Sequence, residues 1–255
     1  MTVRELYTYL NDKIPPSLSC DWDNDGLTCC PSPDATVSRV LIALDVTAEV
    51  VRQAIEGDYD VILSHHPLIF SPLRAVEPSD HVARKVIDLV RAGIAVMSFH
   101  TRLDAVSGGV NDALAEALGL QNTEVFGENG ETIGRVGTLA APITLAAFAD
   151  RIKQATGADA VQVSDAGKSV YRVAVLGGSG SDDVRAARAA GADTYVSGEL
   201  KHNYLTDAPE RGMNLVAAGH FYTENVVCDR LRAWVLEVDA SICVDVTNSN
   251  PIQYL

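Results

Sequence analysis

Six histidines occur in the 255 residues, and two of them are adjacent. His65 and His66 close an apolar run in ILSHHPLIF, where a strand would be ending. His100 ends a second such run in VMSFHTRLD, with Asp104 four residues on. His220 follows a third in VAAGHFYTE, with Glu224 four residues on. Neutral imidazole and carboxylate are donors for Zn, Fe, Mn, Co or Ni, with cellular availability deciding among them. Taken singly each signal is ordinary, because a strand-end histidine usually bonds locally and an i,i+4 His/Glu pair usually lies on a solvated helix face. Their joint occurrence at strand ends points to metal. The set is too large for one structural zinc and suits two divalent ions with open coordination positions.

Successive side chains on a strand face opposite ways, and the proline after His66 biases it away from helical geometry. Two neighbouring imidazoles at a strand end are therefore expected to serve two different ions. His202, in GELKHN, forms a polar cluster with Glu199 and Lys201 and is the remaining candidate for substrate contact. His81 opens an exposed helical turn and is assigned nothing. The glycine-rich GGSGSDDV (177–184) lacks the spacing of either phosphate-binding glycine motif and reads as a tight turn packed near the metals.

The elements that position these residues alternate in type. Strands are expected over 39–46, 59–66 and 94–101. Helices are expected over 47–58, capped by Thr47, and over 79–93, with Ser79 as cap and Gly93 as stop. The same syntax returns after residue 170: a strand and glycine turn, a helix from Ser181, a strand and loop through TYVSGELKHN, and a strand entering a helix at NLVAAGHFYTEN. Continuous apolar strands separated by helices imply a parallel sheet covered on both faces. Aligned by motif, Ser64 lies opposite Gly198 and His100 opposite His220, which suggests an internal duplication. The expected fold class is α/β: two related α/β units, parallel or mixed sheets flanked by helices, with a metal cleft between them. The units are drawn at 1–125 and 126–255, the C-terminal segment being free to return to the first. Residues 127–159 are expected to supply a strand, a helix and the domain junction.

Composition narrows the partners. Twenty basic residues stand against 34 acidic ones, a net charge of -14, which excludes a general nucleic-acid surface. No membrane span and no secretory leader is read in the sequence. Five cysteines, at 20, 29, 30, 228 and 243, form no C-x-x-C and no disulfide framework, so a cytoplasmic protein with small buried or half-buried thiols is expected.

The blocks WDNDGL, SHHPLIF, SFHTRLD, GRVGTL, GELKHN and GHFYTE together resemble the signature of the Nif-three-like dinuclear-metal family, whose members are commonly labelled homologues of GTP cyclohydrolase I type 2. The resemblance spans nearly the whole chain. It implies that His65, His66, Asp104, His220 and Glu224 are the metal ligands, with the two carboxylates holding or bridging the pair and His100 beside the site. It implies two α/β units flanking the metal cleft, assembled as a toroidal homohexamer with the sites facing its interior. Some relatives carry an inserted mid-chain domain, for which 255 residues leave no room. Three departures stand out. Asp25 replaces a usually apolar residue, TCCP replaces a small-residue turn, and Arg102 stands where a smaller polar residue is common.

The function expected from these residues is a hydrolase with two divalent metal ions per chain, acting on a small nucleotide-like or phosphorylated substrate. His100 and Glu199 would move protons, and Arg102, Lys201 and His202 would meet the substrate. The reading from a different class is a non-catalytic metal-binding or regulatory ring protein, which needs the same ligands.

Overall fold

The computed structural model describes residues 1–128 and 132–253. In chain order it contains α1 (Val3–Lys13), β1 (Gly26–Cys29), β2 (Arg39–Ala43), α2 (Ala48–Glu56), β3 (Val61–Ser64), α3 (His81–Ala92), β4 (Ala95–Ser98) and α4 (Thr101–Ala105). There follow α5 (Val110–Ala117), β5 (Gln121–Phe126), β6 (Gly134–Ile143), α6 (Leu145–Thr156), β7 (Gln162–Ser164), β8 (Val170–Ser179), α7 (Val184–Ala189) and β9 (Thr194–Glu199). The last elements are α8 (His202–Arg211), β10 (Asn214–Ala217), α9 (His220–Glu224), α10 (Cys228–Val238) and β11 (Cys243–Val246). The architecture is mixed α/β with two sheets flanked by helices.

Unit one comprises Met1–Val106 and Cys228–Pro251. Its sheet has the order β1-β4-β3-β2-β11, parallel throughout except for the antiparallel edge strand β1. All four residues of β3 and of β4 are buried, as a sheet covered on both faces requires. On one face Leu41, Ala43, Ile62 and Val96 pack with Val50, Val51 and Ala54 of α2 and Leu89 of α3. Thr47 caps α2 through its side chain. α3 begins later than the sequence suggests. Asp80 is its cap, one carboxylate oxygen accepting from the backbone of both Val82 and Ala83, while Ser79 is occupied with Glu77. The Asp80 oxygen thereby satisfies two of the orphan N–H groups of the first turn. Gly93, at φ 76°, ends the helix as expected.

Unit two comprises Ser107–Val227 and the last residues from Ile252. Its sheet has the order β5-β6-β8-β9-β10-β7, with β8, β9 and β10 parallel and the other neighbours antiparallel. The boundary therefore falls at Val106/Ser107 and not at residue 125, because β5 pairs with β6 and α5 contributes Leu114 and Ala115 to the core beneath this sheet. β6 and α6 occupy the expected strand and helix of the 127–159 segment, of which residues 129–131 lie outside the described residues. The expected loop at KHN is instead the start of α8.

The two units repeat one hydrogen-bonding device. In unit one a single carboxylate oxygen of Asp60 accepts from the backbone of Ser38 and Arg39, and Asp60 N–H donates to Arg39 O. In unit two Asp193 accepts from Tyr171 and Arg172, and its N–H donates to Arg172 O. Further along, Ala95 N–H donates to Asp60 O, as Asn214 N–H does to Asp193 O. This supports duplication but moves the alignment by one residue. Phe99 donates to Ser64 O and Ala218 to Ser197 O, so His100 corresponds to Gly219 and Thr101 to His220. His100 is accordingly the cap of α4, whereas His220 is the first residue of α9.

Candidate metal centre

In unit one β3 runs out at Ser64, and the two following histidines leave it in different settings. His65 is wholly buried, its Nδ1 2.9 Å from the Phe99 carbonyl and its Nε2 3.7 Å from Asp104 Oδ1. His66 is partly open, its Nδ1 2.8 Å from Asp45 Oδ1. His100, at the end of the adjacent strand, places Nδ1 2.9 Å from Asp23 Oδ1. The three ring centroids lie 4.8 to 5.5 Å apart, and one donor atom from each ring falls within 4.8 Å of the others. An oxygen on Nδ1 fixes the proton there and leaves the Nε2 lone pair to point away from it, as in histidines that bind metal. Neutral imidazoles so held, with a carboxylate alongside, fit a divalent ion.

Asp23 is fixed as firmly as the ring it orients. Its Oδ2 accepts from Thr101 N–H and from the Thr101 hydroxyl. Burial would raise its pKa, but the bonds from His100 and Thr101 outweigh that and hold the carboxyl well below the usual range.

In unit two β10 delivers His220 onto α9 through Gly219 at φ 86°. His220 Nε2 is 3.1 Å from Glu224 Oε2, and its Nδ1 is 3.3 Å from Glu199 Oε1. Glu224 is buried and Glu199 largely exposed. The glycine run acts as packing surface: a Cβ on Gly178, whose φ is 67°, would lie 2.2 Å from Glu224 Oε1, and one on Gly198 2.8 Å from the His220 Cα. Gly178 N–H donates to the Thr223 hydroxyl, and Gly177 N–H to Asn111 Oδ1. The run is a close approach of backbone to the His220/Glu224 pair, but Gly177 and Gly178 lie within β8 and not in the turn read from the sequence. The helix expected from Ser181 starts as a 3-10 turn, with α7 proper beginning at Val184.

The substrate candidates separate. Arg102 is 1% exposed, its Nε bonded to Asp25 and its Nη1 to Asn11 and the Ile14 carbonyl, so it packs within unit one and faces no substrate. Lys201 is exposed and paired with Asp182, and His202 is exposed on the first turn of α8. Glu199 sits where it orients His220. No disulfide joins any of the five cysteines, all of which lie among the described residues. Burial pushes the thiols of Cys29 and Cys228 up to about 11 and about 12, which keeps them protonated and poor ligands.

Residues 1–251 match the family model described as Duf34/NIF3 (NGG1p interacting factor 3). The chain belongs to the DUF34/NIF3 family. A Clostridium acetobutylicum relative named GTP cyclohydrolase 1 type 2 homolog is 33% identical over 230 residues, covering 88% of this chain and 85% of its own. The Schizosaccharomyces pombe protein NIF3 homolog is 32% identical, covering 93% and 92%. Among solved structures, a Bacillus cereus protein related to NIF3 superposes with a TM-score of 0.90 at 26% identity, covering 100% of this chain and 99% of that one.

Within this DUF34/NIF3 chain two orienting carboxylates escaped the sequence reading. Asp45 follows β2 as the paired histidines follow β3, so the rule that ligands gather beyond carboxyl strand ends would have found it. Asp23 lies in a quoted motif, but only the fold brings it to His100. Asp25 and Arg102, singled out separately in the sequence, meet in the fold, their side chains pairing at 2.7 Å.

Proposed function

We propose that the chain is a metal-dependent hydrolase of a small nucleotide-like or phosphorylated molecule, with two divalent ions held by His65, His66, Asp104, His220 and Glu224. The observation that supports this most is the trio of imidazoles with Nδ1 tied to an oxygen and donor atoms within 4.8 Å of one another. Bound there, the ions would lower the pKa of a shared water and polarise a substrate oxygen.

The protein's own part is orientation and proton movement. Asp104 meets His65, and Glu224 meets His220, so each carboxylate is matched to an imidazole. Glu199 holds the His220 ring through Nδ1 and acts as a positioning residue. His100, locked by an ionised Asp23, presents Nε2 and accepts a proton from the attacking group. Lys201 and His202 are exposed and positive or polar, suited to an anionic substrate group. The relatives' name, GTP cyclohydrolase 1 type 2 homolog, is consistent with a purine nucleotide as substrate class.

The test is metal content by plasma mass spectrometry on protein purified without affinity nickel or chelator, beside His66→Ala and Glu224→Ala. The expected result is about two ions per chain, falling in both variants, and turnover of a nucleotide panel that is lost with the metal. Full metal without turnover would establish the non-catalytic reading; substoichiometric metal indifferent to the substitutions would remove the centre.

A further inference from the structure

Two aromatic side chains of unit one stand in water beside the histidine trio. Trp22 is 63% exposed and Phe70 55%. Among the described residues, every other tryptophan and phenylalanine is buried or half-buried. Scattered apolar side chains on a surface need no explanation. These two touch, at 6.1 Å between ring centroids, and each also contacts the same histidine: Trp22 lies 5.9 Å and Phe70 6.1 Å from His100.

The rings are carried on pinned backbone. Trp22 precedes Asp23, which is bonded to His100 and Thr101, and Asn24 Nδ2 donates to the Ile69 carbonyl at 2.6 Å. That bond ties the segment bearing Trp22 to the segment bearing Phe70. Phe70 also lines a cavity of about 590 Å³, the size of a small-ligand site, whose wall holds Arg74 together with two carboxylates already engaged, Glu77 by Ser79 and Asp80 as the cap of α3. An exposed indole and phenyl fixed next to an imidazole and an arginine-bearing cavity provide a π-face, a polar edge and a positive charge in one place.

We propose that Trp22 and Phe70 form a stacking platform for a planar nitrogen heterocycle, and that the adjoining cavity takes the ligand's anionic tail at Arg74. This rests on the hydrolase reading and specifies its substrate: a mononucleotide-like molecule whose ring lies on the aromatics beside His100. Stacking suits such a ring because every base has a π-face, and truncating one aromatic partner typically weakens binding about tenfold or more.

The test uses the full-length Trp234→Phe protein, in which Trp22 is the sole tryptophan, loaded with the metal found in the native protein. Trp22 fluorescence is followed during titration with guanosine 5′-monophosphate and, separately, ribose 5-phosphate. The expected result is saturable quenching by the nucleotide alone, at least about tenfold weaker in Phe70→Ala and retained in Phe70→Tyr, with metal content equal in all three. Equal responses to both ligands, or no nucleotide response from fully metallated protein, would overturn the platform. So would a fall in oligomer mass in Phe70→Ala without nucleotide binding, which would make the patch an interface between copies. Saturable quenching in protein that takes up no divalent ion would keep the platform and remove the metal centre, so the two readings fail separately.

Discussion

At the scale of single residues, Asp25 and Arg102 carry the sharpest expectation. Their pair is almost wholly enclosed, with side chains 8% and 1% exposed. Removing one partner leaves the other buried and uncompensated, which costs about 3–5 kcal/mol, whereas replacing both by apolar residues of similar volume is far better tolerated. Arg102→Met and Asp25→Leu should each lower the urea midpoint strongly, and the double variant should recover part of the loss, because Asn11, the Ile14 carbonyl and the His100 N–H still lose their partners. Additive losses would mean the pair is not coupled. Asp23 gives a pH test. Its folded pKa is depressed, so the stability it contributes is present above the ordinary carboxylate value of about 3.9 and is lost as pH falls toward the folded value. Asp23→Asn should therefore flatten the loss of stability on acidification below about pH 4, measured by denaturant midpoints across pH. The donor types that could hold a metal were readable from HH and the two spaced His/carboxylate pairs. Arg102 was not, since its role depends on Asp25, Asn11 and Ile14, all remote in sequence and supplied by other elements.

At the scale of elements, the approach of β8 to α9 decides whether Glu224 is placed. Gly178→Ala puts a side chain on a left-handed residue and against the Glu224 carboxylate. Backbone strain alone is worth about 1–3 kcal/mol. The expected outcome is a lowered melting temperature together with a fall in bound metal, whereas Gly212→Ala, equally left-handed at φ 67° but with open space around its Cβ, should lose stability and keep its metal. Strand and helix types were legible because apolar runs and periodic helices alternate along the chain. The limits of that reading were physical. A one-residue shift of register is invisible in two buried parallel strands, whose residues are apolar on both faces, so His100 and His220 looked equivalent. The cap of α3 moved by one residue because serine and aspartate are adjacent there and either could serve.

At the scale of the whole molecule, no described helix is long and apolar enough to cross a membrane. The toroidal homohexamer implied by the family pattern should appear in light scattering as about six chain masses, and a smaller species would remove that expectation. Unit one is assembled from both ends of the chain: β11 pairs with β2 in parallel and α10 packs against α1, after all of unit two has intervened. This sets an order of events during synthesis. When β2, β3 and β4 leave the ribosome, their outer edge at β2 is open, and it stays so until the last elements emerge. The half that holds His65, His66 and His100 is thus the first to be translated and the last to be closed, and any metal offered to it during synthesis would meet these imidazoles on an unfinished sheet.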